Sequence, residues 1–324
     1  MKACKLHSCL AGQIQALINL RRLSGTDYQD QARLLEYFDR FLLKQGVTEP
    51  RMTRQITDSY QQSLSALRPR TQQNRFSVVR QLSEYLARTD PESYVPNPLR
   101  IMTSQEAYQP YIYSRSEVQA LLAAASDLGP PDTLRSHTYQ TLLGLLYSTG
   151  IRIGEAFALN LEHLHRDEQR LYVAEGKFHK ARWIALSAST AEALRQYVVQ
   201  RVGRIKSPSP DSPLFLNQRC GRLCYCTVYH TIRRLLKQCD IRQDQRTGPR
   251  IHDLRHTFAV HRLLAWYQDG QDVNARLPWL ATYMGHVDIG STQVYLHATA
   301  ELIEQVDRRF HNHYLHHVKT HGGT

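Results

Sequence analysis

The sequence predicts a mainly α-helical protein with a small β-sheet. Apolar residues recur at helical spacing along most of the 324 residues. Two short runs at residues 170–175 and 181–187 instead have the composition of strands, and the turn between them has the length and the glycine of a hairpin. These patterns favour helices grouped around one hairpin.

A break in the helical pattern predicts two domains. Residues 89–113 contain the segment PESYVPNPLR, which has three prolines, and no periodic apolar pattern returns before Ser114. We expect an N-terminal helical domain at residues 1–95, a linker at 96–113 and an α+β domain at 114–324, since the chain is long enough for two cores.

The N-terminal domain is expected to consist of helices. Polar residues interrupt the first apolar stretch, which favours a helix over a signal peptide. Helices are then predicted at residues 27–45, 53–67 and 69–88. The last of these has an apolar stripe, and its other face carries arginines that either are solvated or lie against DNA phosphates.

The second domain is predicted to begin at a capping box. Ser114 precedes Glu117 by three residues and an apolar run follows. A second helix ends at Gly150, a residue suited to the left-handed position after a helix. Beyond the hairpin, helices are expected at residues 190–204, at 227–239 and from Ile251 onward.

The charge of the chain favours a polyanionic partner. Lys and Arg number 41 against 29 Asp and Glu, which gives a net charge of +12 with neutral histidines. Binding to nucleic acid would suit this surplus, although a basic protein without such a partner has the same composition. No apolar run reaches the roughly 18 residues of a membrane span, so we expect a cytoplasmic protein without a membrane partner. If its partner is DNA, the protein is expected to be nucleoid-associated.

The six cysteines raise the question of a metal site. Cys220, Cys224 and Cys226 lie close together in sequence, with His230 and Cys239 beyond them. The paired C-x-x-C spacing of structural zinc sites is missing, so ordinary thiols are the better interpretation and no metal is expected.

Four segments of the second domain carry residues suited to phosphate chemistry. They are STGIRIGEA from Ser148, EGKFHKARWIAL from Glu175, IHDLRHTFAVH from Ile251 and TYMGHVDIGSTQVYLH from Thr282. Each alone has an ordinary explanation, such as a surface ion pair, a solvated lysine or a core tyrosine. Their joint presence in this order is much harder to dismiss.

Together the four segments resemble the boxes of the tyrosine recombinases, the family of phage integrases and Xer-type enzymes. Thr149 to Arg152 with Glu155 match the arginine box. Gly176, Lys177, Lys180 and Arg182 match the hairpin box, and His252, Leu254, Arg255 and His256 match H-x-L-R-H. Met284, Gly285 and His286 match the L-G-H box with a change at its first position, and Thr292 and Tyr295 match T-x-x-Y. The resemblance implies an N-terminal core-binding domain and a catalytic domain.

The resemblance implies Arg152, Lys177, His252, Arg255, His286 and Tyr295 as catalytic residues. Tyr295 would attack a DNA phosphate and form a 3′-phosphotyrosine. Two guanidiniums can bind the phosphate oxygens with paired donors, which a lysine cannot match. His252 is suited to act as the base and Lys177 as the acid, with Lys180 as an alternative acid. His286 would donate to the phosphate, and Glu155 would brace Arg152 or His252.

The family implies strand exchange without a cofactor, metal ion or ATP, because arginines replace the cations of other phosphoryl transfers. The expected partner is double-stranded DNA with paired sites, bound by a homo-oligomer that is expected to be a tetramer; accessory DNA-bending proteins and partner recombinases stay open. Candidates for DNA contact are Arg70, Arg75, Arg80, Lys180, Arg182 and His256.

Three alternatives stay open from the sequence. The same chemistry serves a relaxing topoisomerase or a hairpin-forming resolvase, and a non-catalytic DNA-binding descendant would keep the fold. The direction of recombination is also open, as is the docking of an apolar C-terminal stripe on its own domain or on a neighbouring protomer. That stripe consists of Leu302, Ile303, Val306 and Phe310.

Overall fold

The structure is a computed structural model of the chain. It describes residues 6–100, 110–130, 133–174, 181–204, 209–241, 248–286, 290–293 and 295. The chain divides into two compact units, Met1–Ala107 and Tyr108–Thr324. The predicted linker at 96–113 spans this division, and its last residue, Tyr113, is buried in the core of the second unit.

The first unit is a set of four helices around one apolar core. They are α1 (Ala11–Leu23), α2 (Gln29–Lys44), α3 (Arg54–Ser63) and α4 (Pro69–Leu86). Phe38 of α2 is fully buried, and its ring packs edge-on against Tyr60 of α3 with centroids 4.8 Å apart. The Thr53 side chain caps α3, and Pro69 opens α4 where its missing N–H costs nothing. The helices predicted at 27–45 and 69–88 are confirmed, whereas α3 ends four residues before the predicted 67.

The second unit combines helices with a three-stranded sheet. The helices before the sheet are α5 (Arg115–Ser126), α6 (Arg135–Thr149), α7 (Ile153–Ala158) and a 3-10 turn at Leu161–His163. The strands are β1 (Leu164–His165), β2 (Arg170–Val173) and β3 (Arg182–Ala185). The later helices are α8 (Ala188–Val202), α9 (Tyr225–Gln238), α10 (Asp253–Gln268), α11 (Val273–Met284) and the short α12 (Gly290–Gln293).

The sheet is antiparallel in the order β1-β2-β3, with Leu171 paired to Ile184. The predicted pairing of β2 with β3 is therefore confirmed, and so is the capping box of Ser114 and Glu117. The sequence interpretation missed the short elements α7 and β1, because six and two residues are too few to show a period.

The second unit contains two apolar clusters. One cluster joins α5, α6, α8 and α9 with the sheet, and a smaller one joins α10 and α11 and includes Tyr295. Among the described residues, no helix is long and apolar enough to span a membrane.

Candidate active site

Arg152 follows α6 at the point where Gly150 reverses the chain. Gly150 has a φ of 62°, and a Cβ there would lie 2.4 Å from Cδ1 of Phe258, so only glycine allows this approach. The Arg152 guanidinium donates from Nη1 to Oε1 of Glu155 at 2.8 Å and from Nη2 to the Gly285 carbonyl at 2.9 Å. These bonds place Arg152 beside the end of α11.

Arg255 lies on the first turn of α10 and is only 3% exposed. Its Nη1 donates to the Gly150 carbonyl and its Nη2 to the Met284 carbonyl, both at 2.7 Å. Burial, followed by the charge of Arg152, lowers the pKa of Arg255 to about 10, so the group still carries its charge at neutral pH.

The carbonyls at the C-terminal end of α11, including that of the capping residue Gly285, hold three arginines. Those of Tyr283, Met284 and Gly285 accept hydrogen bonds from Arg182, Arg255 and Arg152 respectively. A helix end leaves carbonyls without intrahelical partners and carries a partial negative charge, so guanidiniums are favourable there. Three arginines from three different elements are thereby held within one small volume.

Glu155 supplies the only carboxylate seen within this cluster in the described part of the chain. It lies on α7, is buried, and accepts from the guanidiniums of both Arg152 and Arg182 and from the Arg152 backbone N–H. Burial opposes its ionisation, but the hydrogen bonds and charges of the two arginines outweigh burial and hold its pKa below the usual value. The expectation that Glu155 braces Arg152 therefore has a direct contact in its support.

Tyr295 lies in the interior, with 4% of its surface exposed. Burial raises the pKa of its hydroxyl, while the charges of Arg255 and Arg152 and a hydrogen bond with Arg255 act in the opposite direction. The hydroxyl is thus a neutral phenol at physiological pH, and a nucleophilic role would require a base.

His256 of α10 contacts the tyrosine ring, and His252, the residue just before α10, contacts His256. The ring centroid of His256 lies 5.1 Å from that of His252 and 5.4 Å from that of Tyr295. His252 keeps part of its surface exposed to solvent. Partial desolvation of its ring, followed by the charge of Arg255, lowers the pKa of His252, so the imidazole is neutral and able to accept a proton. Burial, followed by the charge of His252, lowers the pKa of His256 to about 4.

His286 completes the cluster just after Gly285. Its ring stacks with that of Tyr295 at a centroid distance of 6.2 Å. The Nδ1 atom is 2.6 Å from Oγ1 of the fully buried Thr292, three residues before Tyr295. The T-x-x-Y segment thus contacts the site through both of its motif residues, a role for Thr292 that the sequence did not suggest.

The candidates for DNA contact have different surroundings. Arg70 is exposed, whereas Arg75 lies over the Tyr37 ring at 4.6 Å and Arg80 is 2.8 Å from the Glu84 carboxylate. Arg182 is directed into the arginine cluster and His256 into the contact with Tyr295. The hairpin tip with Lys177 and Lys180, and the C-terminal stripe, lie outside the described residues.

The described cysteines Cys9, Cys220, Cys224, Cys226 and Cys239 are free thiols. Within the described ranges, no group of three His, Cys, Asp or Glu side chains is placed to hold a metal ion.

Comparisons with known proteins agree on one family. The profile of the phage integrase family matches residues 113–301, more than half of the chain. An integrase/recombinase of Sinorhizobium fredii is 33% identical over 300 residues, covering 91% of this chain and 95% of the relative. The tyrosine recombinase XerD of Caulobacter vibrioides is 32% identical over 267 residues, covering 78% and 80%.

Solved structures share the fold. The Tn1549 transposon integrase, in complex with a circular intermediate DNA, superposes with a TM-score of 0.66 at 16% identity, covering 92% of this chain and 99% of that one. The XerH site-specific recombinase bound to a difH substrate gives 0.62 at 19% identity, with 86% and 78% covered. The chain belongs to the phage integrase family of tyrosine recombinases, which are DNA strand-transferring enzymes.

Proposed function

We propose that this chain is a site-specific recombinase in which Tyr295 attacks a DNA phosphate and forms a 3′-phosphotyrosine. The observation that carries the proposal is the burial of Tyr295 in contact with Arg255, in a cluster that also contains Arg152 and His286. A nucleophile beside two guanidiniums and an imidazole is the arrangement that transfer of a phosphoryl group requires.

The reaction uses these side chains in defined roles. As the Tyr295 oxygen bonds to phosphorus, the bond from phosphorus to the 5′ oxygen breaks, so the total number of phosphate esters is conserved. His252 accepts the phenol proton, and Lys177 of the hairpin gives a proton to the departing 5′ oxygen. The charges of Arg152 and Arg255, with a hydrogen bond from His286, stabilise the pentacoordinate transition state.

Rejoining reverses the same step on another strand. A 5′ hydroxyl attacks the phosphotyrosine and Tyr295 leaves, so the energy of the bond is retained and neither ATP nor a metal ion enters the reaction. We propose paired sites on double-stranded DNA held by four copies of this chain, since exchange of two duplexes requires four strand cuts. DNA as substrate is supported by the DNA-bound XerH and Tn1549 integrase structures that share this fold.

Covalent trapping tests the proposal. Wild-type protein, Tyr295→Phe and the control Tyr267→Phe, a tyrosine of α10 packed on the same apolar cluster, are mixed with nicked duplexes from the flanks of the gene and stopped with detergent. We expect a chelator-insensitive adduct on the 3′ phosphate for wild type and control, and none for Tyr295→Phe.

Other outcomes would contradict the proposal. An adduct that persists in Tyr295→Phe would refute the nucleophile, and attachment to the 5′ phosphate would refute the chemistry. Relaxation of any supercoiled plasmid without site preference would favour a topoisomerase, and specific binding without an adduct would favour a DNA-binding protein.

A further inference from the structure

Arg182 is the first residue of β3, and its side chain points inward. Only 10% of that side chain is exposed. Its Nη1 and Nη2 atoms donate to the two oxygens of Glu155 at 3.0 and 2.8 Å, and its Nε donates to the Tyr283 carbonyl at 2.9 Å. Three directed bonds from one guanidinium fix its plane and its position.

These bonds connect Arg182 to both sides of the arginine cluster. On one side, Glu155 connects Arg182 to Arg152, because its Oε1 accepts hydrogen bonds from both guanidiniums, at 2.8 Å from Arg152. On the other side, the Tyr283 carbonyl is followed directly by the carbonyls that hold Arg255 and Arg152. A displacement of Arg182 would therefore move the partners of both other guanidiniums.

Close packing at Gly285 strengthens the second connection. Gly285 has a φ of 67°, and a Cβ built there would lie 2.9 Å from Nη1 of Arg182. The guanidinium thus rests against the turn that leads from α11 to His286, and the turn has room for no side chain.

The charges of the cluster also require a cation at this position. Arg182 and Glu155 form a buried pair with paired donors and acceptors, which a lysine cannot reproduce. With this pair neutral overall, the charges of Arg152 and Arg255 are left over, and their sign suits an anionic phosphate. Without Arg182, Glu155 would neutralise one of the two.

We propose that Arg182 is a positioning residue for strand transfer and not a DNA contact. It holds Glu155 and the end of α11 so that Arg152 and the turn before His286 keep their places. This inference rests on the proposed function, and it also links β3, which follows the lysine-bearing segment in sequence, to the phosphate-binding arginines.

The test compares Arg182→Gln and Arg182→Lys with Arg195→Gln. Arg195 is a matched control, because it also makes two bonds to one carboxylate, Glu192, but its side chain is 60% exposed on α8. Affinity for a nicked site-containing duplex is measured over a range of salt, and the rate of adduct formation is measured at saturating DNA.

We expect both Arg182 variants to slow adduct formation on the order of 10²-fold, since small misplacements of catalytic groups have effects of this size. Affinity and its salt dependence should match wild type, and Arg195→Gln should match it in every measurement. The slope of log affinity against log salt concentration would flatten by about one if Arg182 contacted a phosphate. Such a flattening, with an unchanged rate at saturation, would overturn the proposal.

A substrate with a methylphosphonate at the cut position separates positioning from general damage. This group has lost the phosphate charge, so the arginines matter less, and we expect the defect of Arg182→Lys to shrink to a few-fold. An equal defect on both substrates would contradict the proposal. An adduct that wild type forms and Tyr295→Phe lacks would establish the proposed function whatever the Arg182 variants do.

If Arg182→Gln fails to fold, as judged by thermal unfolding, Glu155→Gln takes its place in a double-mutant cycle with Arg182→Lys. Because the two side chains act through one contact, their effects on the adduct rate should be far less than additive. Full additivity would overturn the proposal.

Discussion

Helix α4 of the first unit and the candidate active site of the second unit use arginine in opposite ways. In the first unit, Arg70 of α4 is exposed, and the half-buried Arg80 pairs with Glu84 on the same helix and donates to the Pro96 carbonyl. In the second unit, Arg182 and Arg255 are directed inward, onto a buried carboxylate and the end of α11. The same residue type is thus a surface charge on α4 and part of the internal framework at the candidate site.

This contrast shows why charge counts do not locate a binding site. A buried guanidinium is costly unless its donors are satisfied, so its neighbours are arranged around it. A surface guanidinium imposes no such arrangement and its removal leaves the fold intact. The following predictions test the contrast, from the largest expected effect to the smallest.

The largest effect is expected for Arg255→Gln compared with Arg80→Gln. The first change removes one of the two guanidiniums that we propose bind the phosphate, and it takes the donor from the carbonyls of Gly150 and Met284, so adduct formation should fall by at least about 10³-fold. The second should change it less than about three-fold, because Arg80 contacts Glu84 and the Pro96 carbonyl within the first unit and none of the residues around Tyr295. The rate of adduct formation at saturating DNA measures both effects. Similar losses in the two variants would contradict the difference between the buried and the surface arginine.

The next effect concerns two glycines with nearly the same backbone angle. Gly285 has a φ of 67° and Gly46, after α2 in the first unit, has 66° with no atom within 4 Å of a built Cβ. Gly46→Ala should cost about 1 kcal/mol of unfolding free energy from strain alone. Gly285→Ala should cost about 3 kcal/mol, because the methyl group also displaces Arg182. Denaturant unfolding measures both, and equal costs would contradict the close packing.

A pH effect of intermediate size is expected from His256. Its pKa is about 4 in the folded protein and ordinarily 6.5, so the unfolded chain binds a proton in this interval that the folded protein does not. Stability should therefore be complete above pH 6.5 and decline as the pH falls towards 4, by about 2 kcal/mol at pH 5.

His256→Phe should remove most of this decline and leave the part that His252 contributes, whereas His7→Gln, at an exposed histidine of the first unit, should keep all of it. Denaturant unfolding at pH 7 and pH 5 measures the difference. If His256→Phe loses as much unfolding free energy between pH 7 and pH 5 as wild type, another group is responsible for the decline.

The smallest effect is expected for Arg70→Gln. If this exposed arginine contacts a phosphate, its loss should weaken binding about five-fold on every sequence and lower the salt slope by about one. The rate of adduct formation at saturation should not change. A slope equal to that of wild type would remove Arg70 from the DNA-binding surface.

Much of the fold was predictable because its signals are local. Helical spacing identified α2 and α4, and the Ser114 capping box marked the start of α5. The resemblance to the family boxes selected the side chains that the second unit brings together around Tyr295. The contacts between those boxes depend on tertiary packing, and spacing along the chain carries no record of them.

The sequence predicted Arg182 among the DNA contacts, and the structure directs its guanidinium to Glu155 and the Tyr283 carbonyl. Side chains alternate across a strand, so Arg182 shares a face with the fully buried Ile184, while Trp183 between them is exposed. The sequence alone did not decide which face lies inward, because Trp183 and Ile184 are both apolar. No comparable signal announced the contact of Thr292 with His286, because it joins a loop to a short helix.

The shared acceptors at the end of α11 also govern when the site can exist during synthesis. Arg152 precedes its carbonyl partner by 133 positions and Arg255 precedes its own by 29. A nascent chain still lacking α11 has the arginines but none of these acceptors, and contacts of such long range form late. The arginines therefore reach their observed positions only after α11 has been synthesised, so the cluster forms late in the folding of the second unit.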